Sequence, residues 1–428
     1  MVLSIPELYD RYRECAGVST DTRKITEGCL YVALKGDKFD GNLFAHEALA
    51  KGARYALVDN AEVATDSRFL RVADGLTALQ ELARYHRNRL SIPVIGLTGS
   101  NGKTTTKELI SSVLSRKYRT YATQGNLNNH IGVPLTVLAI DEQYELAVVE
   151  MGANHQGEIR LLCSIAQPTH GLITNVGKAH LEGFGGVEGV RKGKGELFDF
   201  LAETGGTVFV NAQSEVLVAM QKERLFREAV FYQLTDQYEI LTDNPAVVFK
   251  DETGRVVTTH LTGRYNFDNI AAALCLGKFF GVSPEEANEA VAAYNPTNNR
   301  SQTVRKGSNM LLLDAYNANP SSMAAALQNF MKLDAPRKVV ILGDMYELGD
   351  ESPAEHAALG ELVAQGRFDT VILAGQDMRY ALPALPKAYY FPDKFSLHNW
   401  IIDHPFDNTA ILIKGSRGMG LESVVQFL

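Results

Sequence analysis

The residues best suited to chemistry lie in one short stretch, Thr98-Gly-Ser-Asn-Gly-Lys-Thr-Thr105, directly after the apolar run Ile92–Leu97. That run has the length and β-branched content of a buried strand. A glycine turn, Gly99-Ser100-Asn101-Gly102, breaks it, and a helical pattern starts at Lys103. Strand, turn, Lys-Thr and helix make a cradle for phosphate, because turn and helix N–H groups face the anion and the helix dipole adds to them. Lys103 is expected to reach the terminal phosphates, and the Thr104 hydroxyl to hold Mg²⁺. The spacing departs from the strict P-loop, which wants a glycine where Leu97 stands; the glycines here are Gly96, Gly99 and Gly102. A glycine turn before an ordinary helix is the competing reading, and the strand–turn–helix context favours nucleotide binding.

Two more groups stand where strands should end. Glu145-Leu-Ala-Val-Val-Glu150 is a predicted strand whose last residue is a carboxylate. Ligands of open α/β sheets bind beyond the carboxyl ends of the strands, which places Glu150 as a metal ligand or water-orienting group rather than a solvated strand end. Past the predicted strand Gly171–Val176 comes His180, whose neutral imidazole is suited to a metal, although a lone loop histidine is more often no ligand. The run Arg191-Lys-Gly-Lys-Gly-Glu196 is most simply an exposed helix face. Asn126-Leu-Asn-Asn129 is a polar turn opening onto an apolar helix, with amides suited to a polar ligand. Asn266 is expected to cap the alanine-rich helix Ile270–Phe280, and Asn269 to lie in its first turn.

These groups need a scaffold. At 428 residues the chain is too long for one ordinary core, so two or three domains are expected. Residues 1–90 carry strand signals at Leu30–Leu34 and Tyr55–Asp59, a helix at Phe44–Lys51 closed by Gly52, and an amphipathic helix at Gly75–Leu90. Residues 91–298 hold the phosphate loop. Residues 299–428 alternate strands (Met310–Leu313, Lys338–Leu342, Thr370–Ala374, Ala410–Lys414) with helices (Ser321–Leu333, Pro353–Gln365, Phe395–His404). Such alternation predicts a mainly parallel, doubly wound sheet. The fold class is therefore α/β, with a small N-terminal domain, a central P-loop ATPase-like domain and a Rossmann-like C-terminal domain. Polar loops sit at the C-terminal strand ends: Asp314-Ala-Tyr-Asn-Ala-Asn-Pro320, Gly343-Asp-Met-Tyr-Glu347 and Lys414-Gly-Ser-Arg-Gly418.

Composition narrows the class. The chain is 45% hydrophobic and 21% charged, as globular proteins are. A net charge of −8 argues against a nucleic-acid surface and leaves room for a local pocket taking a small anion. No run reaches the ~20 apolar residues a membrane span needs, and no signal peptide is visible. Cys15, Cys29, Cys163 and Cys275 lack metal-ligand spacing and read as reduced thiols of a cytoplasmic protein.

Thr98–Thr105, Asn126-Leu-Asn-Asn129, Glu150-Met-Gly-Ala153, Asn175-Val-Gly-Lys-Ala-His180 and Lys194-Gly-Glu196 occur in that order. The set resembles the Mur ligases, ATP-dependent amide ligases of peptidoglycan precursor synthesis, and the displaced glycine is the form that family uses. Asp314–Pro320 and Lys414-Gly-Ser-Arg417 are similar to the branch that adds D-alanyl-D-alanine to UDP-N-acetylmuramoyl-tripeptide. The resemblance implies that Thr98, Gly99, Ser100, Asn101, Gly102, Lys103, Thr104 and Thr105 bind ATP with Asn269, Arg300 and Asp314. It implies Thr104, Glu150, His180 and a carbamoylated Lys194 as ligands of two Mg²⁺ ions, with Lys103, Glu150, His180 and Lys194 catalytic. That overrides the exposed-face reading for Lys194, though not for Arg191 and Lys192. Ser19, Thr20, Lys35, Gly36, Asn126, Asn128 and Asn129 are candidates for the UDP substrate, and Asn317 and Asn319 for the dipeptide. Tyr265 stands where the family often has histidine and receives no role. Residues 1–90 would bind the nucleotide sugar, 91–298 ATP, and 299–428 the incoming dipeptide while closing on ATP, in a monomer.

Three competitors accompany this reading. A diamino-acid-adding relative would carry an Asp-Asn-Pro-Arg motif in its C-terminal domain, and the only similar string is Asp243-Asn-Pro-Ala246. A folylpolyglutamate-synthase-like ligase leaves the N-terminal segment unexplained. A non-catalytic ATP-gated binding module has no need of Glu150, His180 and Lys194.

Overall fold

The computed structural model describes residues 2–235, 238–296 and 299–428. The boundary expected at residue 298 lies outside the described residues.

The strand before the glycine turn is the centre of the molecule. Val94–Thr98 is buried throughout and lies inside a six-stranded sheet. Its order is Glu228–Tyr232, Thr207–Asn211, His170–Ile173, Val94–Thr98, Leu146–Glu150, Thr120–Ala122, with every neighbouring pair parallel. Parallel strands covered on both faces need continuous apolar runs, which these supply. The strand starts two residues later than the apolar run because Pro93 has no N–H for the ladder, although its carbonyl still accepts from Ala147 N (3.1 Å). The chain leaves this strand towards one edge and comes back on the other side. A crevice therefore opens beyond its carboxyl end.

An N-terminal sheet runs Val18–Ser19, Leu30–Val32, Tyr55–Val58, Phe69–Arg71, all parallel. A two-stranded hairpin, Lys35–Gly36 with Phe39–Asp40, projects from it. The helix Gly75–Arg87, capped by the Asp74 carboxylate on Thr77 N (2.7 Å), joins this sheet to the central unit. The C-terminal sheet runs Gln302–Lys306, Asn309–Leu313, Ala410–Lys414, Lys338–Gly343, Thr370–Ala374, Tyr389–Phe391. Only its first pair is antiparallel. An antiparallel sheet of three short strands, Glu239–Thr242, Val248–Lys250 and Val256–Thr258, was not expected.

One expectation is corrected. The alanine-rich helix spans Arg264–Phe279, so Asn266 lies inside it and does not cap it, and Asn269 belongs to the second turn. Gly263, at φ 89°, starts the helix. The two amides are buried within it: Asn266 Nδ2 donates to Thr262 O (2.7 Å), and Asn269 Nδ2 donates to Asn266 Oδ1 (2.9 Å). Among the described residues no helix is long and apolar enough to cross a membrane.

Candidate active site

The turn after Val94–Thr98 is held from its neighbours. Ser100 N donates to Asn175 O (3.0 Å), Asn101 N to Asn175 Oδ1 (3.0 Å), and Thr174 Oγ1 to Asn101 O (2.6 Å). A Cβ on Gly99 would collide with the Thr174 hydroxyl, and one on Gly102, at φ 78°, would lie 2.7 Å from Asn269 Oδ1. These close approaches explain why glycine stands at both positions. Thr106 N bonds Gly102 O (2.8 Å), so the N–H groups of residues 102–105 precede the first helical bond and face outward. The helix itself runs Lys103–Leu114. Lys103 Nζ bridges the turn, donating to Gly99 O (2.7 Å) and Ser100 O (3.3 Å), and burial pulls its pKa down to about 8.

A cavity of about 670 Å³ opens over this turn. The central unit contributes Ser100 to Thr105, Asn126, Asn128, Asn129, Glu150, His180 and Asn269, and the C-terminal unit contributes Arg300, Asp314, Asn317, Asn319 and Lys414. Glu150 is 1% exposed. Its Oε1 accepts from Thr104 Oγ1 (3.2 Å) and Asn128 Nδ2 (2.8 Å); its Oε2 has no hydrogen-bond partner and lies 3.8 Å from Lys107 Nζ. A hydroxyl and an under-satisfied carboxylate side by side form an oxygen donor set that fits Mg²⁺, which takes one or two protein oxygens beside phosphates. His180 stands at φ 53°, just before the short helix Leu181–Phe184, with Nδ1 against the Glu347 carboxylate. The imidazole holds the Glu347 carboxyl below the usual range.

Lys194 does not line the cavity. It is 1% exposed on the helix Val187–Thr204, with Nζ donating to Ala153 O (3.0 Å) and lying 4.8 Å from the Phe184 ring centre. Ala153 itself lines the cavity, so the amine sits one residue behind the wall. Burial, then the nearby Lys103 charge, push its pKa well below the lysine value, favouring the neutral amine.

Other sequence candidates divide. Thr98 is fully buried with an unpaired hydroxyl, and neither it nor Gly99 reaches the cavity. Asn269 Oδ1 accepts from Thr106 Oγ1 (2.9 Å) and so ties the two helices together. Asn129 Oδ1 accepts from Ile131 N and Gly132 N at the start of the next helix. Asn319 caps the helix Pro320–Lys332 through Ser322 N (2.9 Å), and its Nδ2 donates to Asn101 Oδ1 (2.7 Å). Asp314 Oδ2 pairs with Lys414 Nζ (2.5 Å), and Lys414 also donates to Asn317 O (3.1 Å). Arg300 lies 3.5 Å over the Tyr316 ring. Ser19, Thr20, Lys35 and Gly36 are not among the cavity residues: Ser19 Oγ donates to Asp21 O (3.0 Å), and Lys35 pairs with Asp59 (2.7 Å). Sequence reasoning missed Tyr316, Lys414, Tyr265 and Glu347 as site residues. Tyr316, Lys414 and Glu347 lie in strand-end segments already marked as polar, a signal that was available. Tyr265 OH shares a hydrogen bond with Ser301 Oγ (2.9 Å).

Family models match in three blocks: the Mur ligase family catalytic domain over residues 14–87, the Mur ligase middle domain over 97–277, and the Mur ligase glutamate ligase domain over 299–417. The UDP-N-acetylmuramoyl-tripeptide–D-alanyl-D-alanine ligase of Escherichia coli is 38% identical, over 96% of this chain and 93% of its own. A crystal structure of MurF from Acinetobacter baumannii superposes with TM-score 0.85 at 30% identity, covering 100% of this chain and 98% of that one. MurF ligase from Thermotoga maritima in complex with ADP superposes at 0.81 with 26% identity, covering 96% of each chain.

Proposed function

The chain belongs to the Mur ligase family, and we propose that it joins D-alanyl-D-alanine to UDP-N-acetylmuramoyl-tripeptide while ATP becomes ADP, a step of peptidoglycan precursor synthesis. A carboxylate is a poor acylating agent at neutral pH, so the tripeptide's terminal carboxyl group first takes the γ-phosphoryl group. The dipeptide amine then attacks the acyl carbon, a tetrahedral intermediate forms, and phosphate leaves. Catalysis of this kind rests on positioning and charge neutralisation.

The observation that carries the reading is one cavity receiving the phosphate turn, Lys103, Thr104, Glu150 and His180 from one side and Arg300, Asp314, Asn317 and Asn319 from the other. Residues 102–105 offer N–H groups to the phosphates, and Lys103 gives them a cation, whose low pKa would rise beside that charge. Thr104 and Glu150, with His180, would hold Mg²⁺, which neutralises the phosphate oxygens during transfer. Asn128 keeps Glu150 aimed. Burial of the Lys194 amine lowers its pKa, and a neutral amine is the form that takes up carbon dioxide, so a carbamate there would add a further anionic ligand. In this reading residues 1–90, with Ser19, Thr20, Lys35 and Gly36, hold the UDP moiety, 91–298 ATP, and 299–428 the dipeptide. The catalyst is a cytoplasmic monomer.

Phosphate release on mixing ATP, Mg²⁺, UDP-N-acetylmuramoyl-tripeptide and D-alanyl-D-alanine tests the proposal. Silence with that mixture, but turnover with a folate and glutamate or with a diamino acid, would replace it by a competing ligase. ATP binding without release under any mixture would leave a binding module. Lys194→Ala is expected to lose activity severely while keeping ATP binding, and wild-type rates in that variant would remove Lys194 from the site.

A further inference from the structure

His180 has a partner that its own domain does not supply. Glu347, 167 residues further along the chain, brings its carboxylate against Nδ1 from the loop after the C-terminal strand Lys338–Gly343. We propose that Glu347 is a positioning residue: its carboxylate fixes His180 as the Nδ1–H tautomer and leaves Nε2 for the cavity, so the imidazole is correctly set only while the C-terminal unit is docked. This rests on the ligase reading for its catalytic consequence, but not for the tautomer itself.

Three features of the contact exceed what an accidental surface pair would show. Both residues hold left-handed backbone, His180 at φ 53° and Glu347 at φ 61°, a strained conformation for non-glycine residues that persists only where surroundings impose it. Main chain joins the same two loops, with Glu182 N donating to Glu347 O (3.3 Å) and a Cβ on Gly349 falling 3.2 Å from Glu182 Cγ. The Glu347 loop is in turn pinned inside its own unit, Met345 N to His356 Nε2 (3.0 Å) and Tyr346 N to Ser416 Oγ (2.9 Å). The carboxylate is thus presented on a fixed loop to one specific ring nitrogen. A carboxylate on Nδ1 selects the Nδ1–H tautomer and makes Nε2 the basic, ligating nitrogen, and loss of such partners lowers activity or affinity about 10–100-fold in comparable sites. Free imidazole side chains prefer the other tautomer, so the device has something to overcome.

The test uses the full chain labelled with ¹⁵N-histidine, the His180 signals being assigned from their loss in His180→Asn. Wild type is expected to show the Nδ1–H pattern, and Glu347→Ala to shift His180 towards Nε2–H. The same variant should lower kcat about 10–100-fold with KM for ATP changed less than threefold, and Glu347→Gln, which can still accept from Nδ1–H, should recover much of both readouts. Lys178→Ala, which removes the neighbouring ion pair to Glu355 across the same boundary, should leave the tautomer and kcat unchanged. An unaltered His180 pattern in Glu347→Ala, or an equal shift in Lys178→Ala, would overturn the inference. If the wild-type chain does not ligate but the tautomer still follows Glu347, the ligase reading falls and the positioning role stands.

Discussion

The central unit meets its two neighbours in opposite ways. On the N-terminal side, the helix Gly75–Arg87 is sewn down by side chains that bond main-chain carbonyls. Arg87, 5% exposed, donates to Ala166 O (2.8 Å), Gln167 O (3.0 Å) and Leu90 O (2.8 Å). Arg84 donates to Ser164 O (3.1 Å), Tyr12 OH to Leu138 O (2.5 Å), and His86 Nε2 meets Ile140 O (2.6 Å). On the C-terminal side the joint mixes exposed or part-buried pairs, Glu347 with His180, Lys178 with Glu355 and Asn319 with Asn101, with the buried Asn329–Thr262 bond and main-chain bonds such as Glu182 N to Glu347 O (3.3 Å). The candidate active-site cavity lies along this second joint. Buried cations bonded to carbonyls leave unpaired groups behind if the joint opens, whereas exposed polar pairs are readily replaced by water. Opening the first joint would strand buried groups, while part of the second rests on exposed pairs that water can replace, a difference that hinge closure around substrates would use.

Four measurements would break or sharpen that contrast. The largest effect is expected at the sewn joint. Arg87→Ala leaves buried carbonyls unpaired and should destabilise the fold by about 3 kcal/mol in urea unfolding; an unmoved midpoint would mean the joint is not held this way. At the C-terminal joint, Asn319→Asp keeps the helix cap but removes the donor to Asn101. Its kcat/KM should fall about tenfold, the worth of one good hydrogen bond, with an unchanged unfolding midpoint; lost stability without lost activity would reverse the contrast.

The third measurement is a pH profile. Burial holds the His86 pKa below the usual imidazole value, so the unfolded chain binds the extra proton first. The stability His86 contributes is therefore complete above about pH 6.5 and is lost as the pH falls from there towards its folded pKa. The unfolding midpoint of wild type should decline on that acid limb, and His86→Gln should flatten it; His170 and His398 are also lowered by burial and will keep part of the slope. An identical slope in the variant would remove His86 from the account. The smallest effect is Lys178→Ala: with the lysine side chain 47% exposed, the loss should stay within about 0.5 kcal/mol and fade with salt. A loss of several kcal/mol would show the second joint to be as firmly sewn as the first.

Legibility followed distance along the chain. The strand–turn–helix unit could be read because its parts are neighbours: strand, turn, lysine and helix occupy Val94–Leu114 without a break. The helices of residues 299–428 lie one residue from where the pattern put them, at Pro320–Lys332, Ser352–Ala364 and Lys394–Asp403, because caps and apolar spacing are local signals. The three-stranded sheet escaped notice because strands of three or four residues carry almost no period. Asn266 reads as a cap because Asn is a good one, but Gly263 starts the turn earlier, and the amide bonds Thr262 O just before the helix and Asn269 within it.

By itself, the sequence determined that a glycine turn joins a buried strand to a helix starting at Lys103, that the main sheets are largely parallel, and which side chains carry oxygen, imidazole and amine donors. Tertiary structure alone decided which of them meet. Lys194 reads as part of a charged helix face, and only the packing of that helix buries its amine behind Ala153. Asn128 reads as a substrate contact, and only the fold turns its amide onto Glu150. The reason is physical: spacing along a chain fixes local geometry, but solvation and partnership depend on neighbours that folding brings from far away, as it brings Glu347 to His180.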